Sequence, residues 1–212
     1  FAQVRIMIET GKGAKRPVND YHLSRYACYL VVQSADPEKE MVALGQTYFA
    51  VQTRKQELFE QASENEKRVI LRQEMRMHNK HLSATAQEAG VETSLDFAIF
   101  QNHGYKGLYG GLDAQGIKKR KGLSKSQNIL DHMGSTELAA NLFRATQTDE
   151  KIKRERIQGK NQANKAHYEV GQKVRKTIQE LGGTMPEELP TVDSIKNLER
   201  KQQRTLKEKK DD

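Results

Sequence analysis

The sequence predicts a mainly α-helical protein in two parts, with a short N-terminal β-hairpin and a C-terminal antiparallel helical hairpin. Three observations carry that expectation. Apolar residues recur at helical spacing along most of the chain, one stretch near the N-terminus reads as extended strand, and capping residues and glycines punctuate the helical runs.

Val4 to Ile8 is a short apolar and β-branched run, followed by Gly11-Lys12-Gly13 and Arg16-Pro17-Val18, the pattern of a strand pair. No other sheet is expected. Leu23, Tyr26, Ala27, Leu30 and Val31 line one helical face, with Cys28 beside the stripe as a small buried hydrophobe. Asp36-Pro37 combines a side-chain cap with a first-turn proline, so a second helix starts there and runs through Met41, Leu44, Tyr48, Val51 and Leu58.

Ser63 with Glu66 forms a capping box that opens a helix reaching towards Gly90. Its apolar stripe is sparse, with Val69, Ile70, Met77 and Ala84 among many charges, so it reads as a solvent-exposed connector. Ser94 then caps a short helix carrying Leu95, Phe97, Ile99 and Phe100, which ends at NHGYKGLYGG (102–111), where four glycines oppose continued helix. Ser124 with Gln127 reads as another capping box, before Ile129 and Leu130. Ser135 opens a longer helix with Leu138, Leu142, Ala145 and Ile152 on one side. The next stripe, Ala163, Ala166, Val170, Val174, Ile178 and Leu181, stops at Gly182-Gly183, giving the antiparallel pair. Beyond the acidic linker between Pro186 and Pro190, Ser194 restarts a helix with Ile195, Leu198 and Leu206 among seven basic side chains. It buries too little to fold alone and reads as a docked or partner-induced tail. The expected divisions are 1–62, a connecting helix at 63–93, a C-terminal helical domain at 94–190 and a basic tail at 191–212.

In 212 residues, 36 Lys and Arg oppose 28 Asp and Glu, a net charge of +8 that favours a polyanionic partner. Nucleic acid ranks ahead of an anionic membrane surface, and no apolar run is long enough to span a bilayer. One cysteine excludes an internal disulfide and fits a reducing cytosol.

The densest cationic segment is Lys118, Lys119, Arg120 and Lys121 with Lys125, without an acid between them. Its sharp reading is a phosphate-backbone contact, its bland one a solvated face. A helix, Gly122, and a helix capped at Ser124 would compose a helix-turn-helix, a layout that ordinary bundles also use. In GYKGLYGG, Lys106 among glycines invites a phosphate, but the loop lacks the Gly-Lys-Ser/Thr ending of a P-loop, and a structural turn packed over Tyr105, Leu108 and Tyr109 is the simpler reading. Tyr105 and Tyr109 are also the aromatics nearest the cations, and so the candidate base-stacking platforms for a single strand. Were they buried, contact through the backbone alone or through a protein partner would gain. His78 and His81 share a helix face without further ligands, and the remaining histidines are scattered. With no nucleophile elbow or paired carboxylates, no catalytic residue, metal or cofactor is expected.

The strings LSRYACYLVVQ (23–33), GQTYFAVQTRKQEL (45–58), the run from DFAIFQNHGYKGLYGG to QTDEKIKRE (96–155) and VRKTIQELGGTMPEELP (174–190) resemble the bacterial DNA-damage-inducible protein D family. Residues 18–56 also look like the latter part of a Bro-N domain, found in phage and viral antirepressor-like proteins and associated with DNA binding. The resemblance implies a protein of the SOS response, expressed when the LexA repressor is inactivated, with no established enzymatic activity and hence no active site to carry over. Family members carry an upstream segment that completes the Bro-N-like module, whereas this chain begins at Phe1.

Two functions follow as expectations. One is a non-enzymatic protein that binds DNA, single-stranded ahead of duplex, or a recombinase–DNA filament, through Lys106, Lys118, Lys119, Arg120, Lys121 and Lys125 with Tyr105 and Tyr109, in the cytoplasm or at the nucleoid. The other is an antirepressor-like regulator acting on duplex DNA or a repressor. A nuclease ranks third, for want of a carboxylate or His cluster suited to metal-assisted cleavage.

Overall fold

A run of β-branched residues closed by glycines pairs with itself at the start of the chain. The computed structural model, which describes residues 2–198 and residue 200, places β1 (Ala2–Thr10) antiparallel to β2 (Ala14–His22), with Ile6 opposite Val18 and Thr10 opposite Ala14. A 3-10 turn at Gly11–Gly13 links them, and Gly13 takes a φ of 77°, open to glycine at little cost. α1 (Arg25–Ser34) is capped by Ser24, whose hydroxyl accepts from the Ala27 amide. α2 (Glu40–Gln61) begins after Asp36, which accepts from the Glu38 amide.

These elements form one of two compact units, residues 1–61 and 62–212. In the first, α1 and α2 meet at a corner where Gln46 donates to the carbonyls of Val32 and Ala35, both at 3.1 Å, and Tyr29 packs on Phe49 at 4.8 Å between rings. Ala27 is the only buried hydrophobe of this unit among the described residues. Cys28 is exposed, contrary to the expectation for it, because the corner draws in other faces of α1.

The second unit holds α3 (Glu64–Glu88), α4 (Ser94–Leu108), α5 (Ala114–Arg120), α6 (Ser135–Arg154) and α7 (Lys160–Glu180). The Ser63–Glu66 capping box is present. α3 is no exposed connector: Met75, Leu82 and Ala86 are fully buried, and it packs along α6. Arginines counted as solvent-facing in the sequence are drawn inward. Arg68 donates to the carbonyls of Met133, Asp131 and Asp193, and Arg72 pairs with Asp131 at 2.9 Å. The Glu64 carboxylate accepts from both the amide and the hydroxyl of Ser135, so the start of α3 caps the start of α6.

α4 is capped by Thr93, in a reciprocal box with Asp96, one residue before the expected Ser94. It also runs straight through the glycines expected to end it. Gly104 and Gly107 are contact points for α7: a Cβ on Gly107 would strike the Tyr168 carbonyl, and one on Gly171 would lie 2.8 Å from the Gly104 carbonyl. The missing side chains let the two backbones approach, and that gain outweighs the helix-propensity cost of about 1 kcal/mol per glycine. The chain turns only at Gly110 and Gly111, both with positive φ.

α6 and α7 form the helical hairpin through residues 155–159, with Ala163, Ala166, Val170 and Val174 buried, whereas Ile178 is half-buried and Leu181 exposed. After Gly182 the acidic linker is a strap. Lys121 donates to the Leu189 carbonyl, Thr191 to that of Lys121, and Val192 to that of His132. Arg175 grips Glu187 through two bonds of 2.7 Å, and Ile195 ends the strap fully buried. The basic tail past residue 200, with Leu206, lies outside the described residues.

Candidate nucleic-acid interface

Asp113 caps α5 by accepting from the Gly116 amide at 2.9 Å, and buried Ile117 anchors that short helix. Lys118, Lys119 and Arg120 thereby fall in its last turn, where the helix dipole favours cations. Gly122 (φ 66°) reverses the chain, with the Leu123 amide returning to the Lys118 carbonyl. Lys118, Lys119 and Lys125 line one shallow depression with Gln115, Gly116 and Leu123. The Lys118 ammonium donates to the Lys125 carbonyl at 2.6 Å, and Arg120 Nε donates to the Glu187 carbonyl at 2.9 Å. Among the described residues, none of Lys118, Lys119, Arg120 and Lys125 has a carboxylate within 4.0 Å.

Lys121 departs from its neighbours. Its ammonium is buried and lies 2.9 Å from Glu137, itself fully buried, so it is neutralised internally and unavailable to phosphate. Burial raises the Glu137 pKa against the lowering pull of Lys121 and of the Tyr109 hydroxyl. Tyr109, also fully buried, donates to Glu137 at 2.8 Å and accepts from Asn141 at 2.7 Å. It offers no face for stacking, and desolvation holds its hydroxyl well above the ordinary tyrosine range. Tyr105 is half-buried, edge-on to Tyr109 and covered by the Arg144 guanidinium 5.1 Å from its ring centre. The stacking role expected of these two tyrosines therefore falls. The helix-turn-helix falls with it, because Gln127 accepts from the Ser124 amide within a turn, and only a 3-10 turn, Ile129–His132, follows.

Sequence reasoning missed the polar core beside this site. Arg144 is fully buried and faces no acid among the described residues. It donates to Nε2 of His167, whose Nδ1–H donates to the Phe100 carbonyl at 3.0 Å. Those two bonds fix His167 as the neutral tautomer, and burial together with Arg144 holds its pKa well below the usual value. No local pattern announces this cluster, since its members come from α4, α6 and α7. Lys106 stands apart from the α5 cations, in a cleft between α4 and α7 that it lines with Gly110, Gly111, Tyr168, Gln172 and Lys173. His78 faces Glu74 at 3.7 Å, and no group of three or more His, Cys, Asp or Glu among the described residues is placed to hold a metal ion. No helix among them is long and apolar enough to cross a membrane.

Residues 62–198 match the family model described as the DinD C-terminal domain. The chain belongs to the DinD family. It is 64% identical over 205 residues to DNA damage-inducible protein D of Escherichia coli (strain K12), an alignment that covers 94% of this chain and 75% of that protein. The DinD C-terminal domain match starts where the second compact unit starts, at Ala62, and takes in α3, the α5 cations, the buried polar core and the strap.

Proposed function

We propose that this DinD-family chain is a non-enzymatic DNA-damage-response protein that binds DNA, or a recombinase–DNA filament, through the cationic end of α5, and thereby modulates repair or recombination. One observation carries the reading: Lys118, Lys119 and Lys125 line one surface depression with no carboxylate within 4.0 Å among the described residues, while Lys121, from the same run, has been drawn inside and neutralised. Repulsion among these three is relieved by a phosphate backbone. The relative's name supplies the damage context.

The test is fluorescence anisotropy with labelled single-stranded and duplex DNA across a salt series. Lys118→Ala, Lys119→Ala and Lys125→Ala are combined, and Arg120 is left in place because it also holds the strap carbonyl of Glu187. Each lost phosphate contact flattens the log–log salt slope by about 0.7 on single strands and about 0.9 on duplex, so the triple change flattens it by about two to three. If the variant matches wild type at every salt concentration, α5 is a solvated face. The function then lies in direct protein contact, with the recombinase filament first to be tested.

A further inference from the structure

The close crossing of α4 over α7 at Gly107 and Gly171 has an open side. There α4 presents Lys106, and α7 presents Tyr168, Gln172 and Lys173. The Tyr168 ring is part-exposed and meets His103 edge to face, with 6.5 Å between centres and 87° between planes. Its hydroxyl oxygen accepts from Gln172 Nε2 at 3.1 Å, which steadies the ring. We propose that this cleft is a second contact for single-stranded nucleic acid, in which a base stacks on Tyr168 while Lys106 and Lys173 hold the flanking phosphates. The proposal rests on the DNA-binding reading above and adds to it a site, a platform and a preference for single strands.

The charges of the cleft support an anion. Arg175 is committed to Glu187 and to the Leu108 carbonyl, and Lys176 lies 3.6 Å from Glu180. Among the described residues, the one carboxylate lining the cleft, Glu169, faces Lys165 at 3.9 Å and Lys151 at 4.0 Å. Lys106 and Lys173 are left with no carboxylate within 4.0 Å among the described residues. An aromatic face beside two such cations matches the way single strands are held without sequence readout, since an unstacked base needs a π-surface and its backbone needs positive charge. A duplex keeps its bases stacked on one another and has no use for the ring.

The experiment uses the full chain with labelled oligothymidylate and a duplex of equal length. Tyr168→Leu keeps apolar bulk and removes the π-face. It should weaken single-strand binding by about tenfold or more and leave duplex binding unchanged, while Tyr168→Phe behaves as wild type. Lys106→Gln with Lys173→Gln should flatten the single-strand salt slope by about 1.4. The chain has no tryptophan, so Tyr168→Trp places a lone indole in the cleft, and its fluorescence should be quenched by oligothymidylate. If Tyr168→Leu binds as wild type while the α5 triple variant is weakened, the cleft proposal is overturned and the α5 reading stands. An equal loss on single strand and duplex would also overturn stacking. If wild type binds neither DNA, the DNA-binding reading itself has failed.

Discussion

Helix α2 and helix α7 each carry an apolar stripe, sharper along α7, and the molecule treats them in opposite ways. Along α7, Ala163, Ala166, Val170 and Val174 are buried, whereas Met41, Leu44, Tyr48, Val51 and Leu58 of α2 are all exposed, from 47% to 79%. The difference lies in the neighbours. α7 meets α4 through glycines and α6 through the hairpin, so two helices converge on its stripe. α2 meets α1 on the face of Gly45, Gln46 and Phe49, to one side of its own stripe. A periodic stripe marks a face that burial would stabilise, and which stripe is buried depends on what the rest of the fold brings to it.

The same contrast holds for polar groups. The second unit buries Lys121, Glu137, Asn141, Arg144 and His167, while in the first no polar side chain is buried among the described residues. A dense apolar surround makes each of those groups dependent on its partners. The largest expected effect follows. Glu137→Ala leaves the Lys121 ammonium buried without its carboxylate and should cost about 3–5 kcal/mol in urea unfolding of the second unit. A loss under about 1 kcal/mol would show that water reaches the pair, and would remove the contrast in polar burial.

Next comes backbone approach. Gly107→Ala should cost about 1–3 kcal/mol, towards the upper end because the obstructing atom is the Tyr168 carbonyl and not a side chain that can move. Gly11→Ala is the matching change in the first unit, where nothing lies within 4 Å of the added carbon, and it should be close to neutral. Equal costs at the two sites would mean that α4 and α7 are not in backbone contact.

How much of this was legible in sequence divides along the same line. The hairpin, the Ser63–Glu66 box and the stripes of α6 and α7 are local signals, and the structure follows them. The continuation of α4 was not legible, because Gly104 and Gly107 break helices by propensity and are kept here by a contact some 60 residues away. The burial of α3 was hidden by Arg68 and Arg72, whose partners at 131, 133 and 193 are remote. In the candidate site, Lys118, Lys119 and Lys125 could be grouped by their sequence proximity. The removal of Lys121 by Glu137, and the arrival of Tyr168 beside Lys106, depend on tertiary contacts alone.

A pH dependence comes third in size. His167 is held neutral in the fold, with its pKa depressed by burial and by Arg144. Below the ordinary histidine pKa of about 6.5 the unfolded chain takes up a proton that the folded chain refuses, so stability falls as pH falls. The slope from this group is about 1.4 kcal/mol per pH unit, from about pH 6.5 down to the folded-state pKa. The difference in urea unfolding between wild type and His167→Gln from pH 7.5 to 5 measures it, and the imidazole resonances of His167 should not titrate near pH 6.5. Titration of that ring near pH 6.5 would show that the Arg144 and Phe100 contacts do not hold it.

The smallest expected effect tests the other side of the comparison. Leu44 and Leu58 are each about half exposed or more in a unit whose one buried hydrophobe among the described residues is Ala27. Truncating either to Ala removes little that folding has withdrawn from water, and changes at such surface positions stay within about 0.5 kcal/mol. The unfolding midpoint and the far-UV signal of Leu44→Ala and Leu58→Ala should therefore match wild type. A cost of about 2 kcal/mol or more is the size seen when a core leucine is cut back, and would mean that the α2 stripe is packed against another surface in solution. Dependence of that cost on protein concentration would then identify the surface as a second copy of the chain, since only association makes apparent stability rise with concentration.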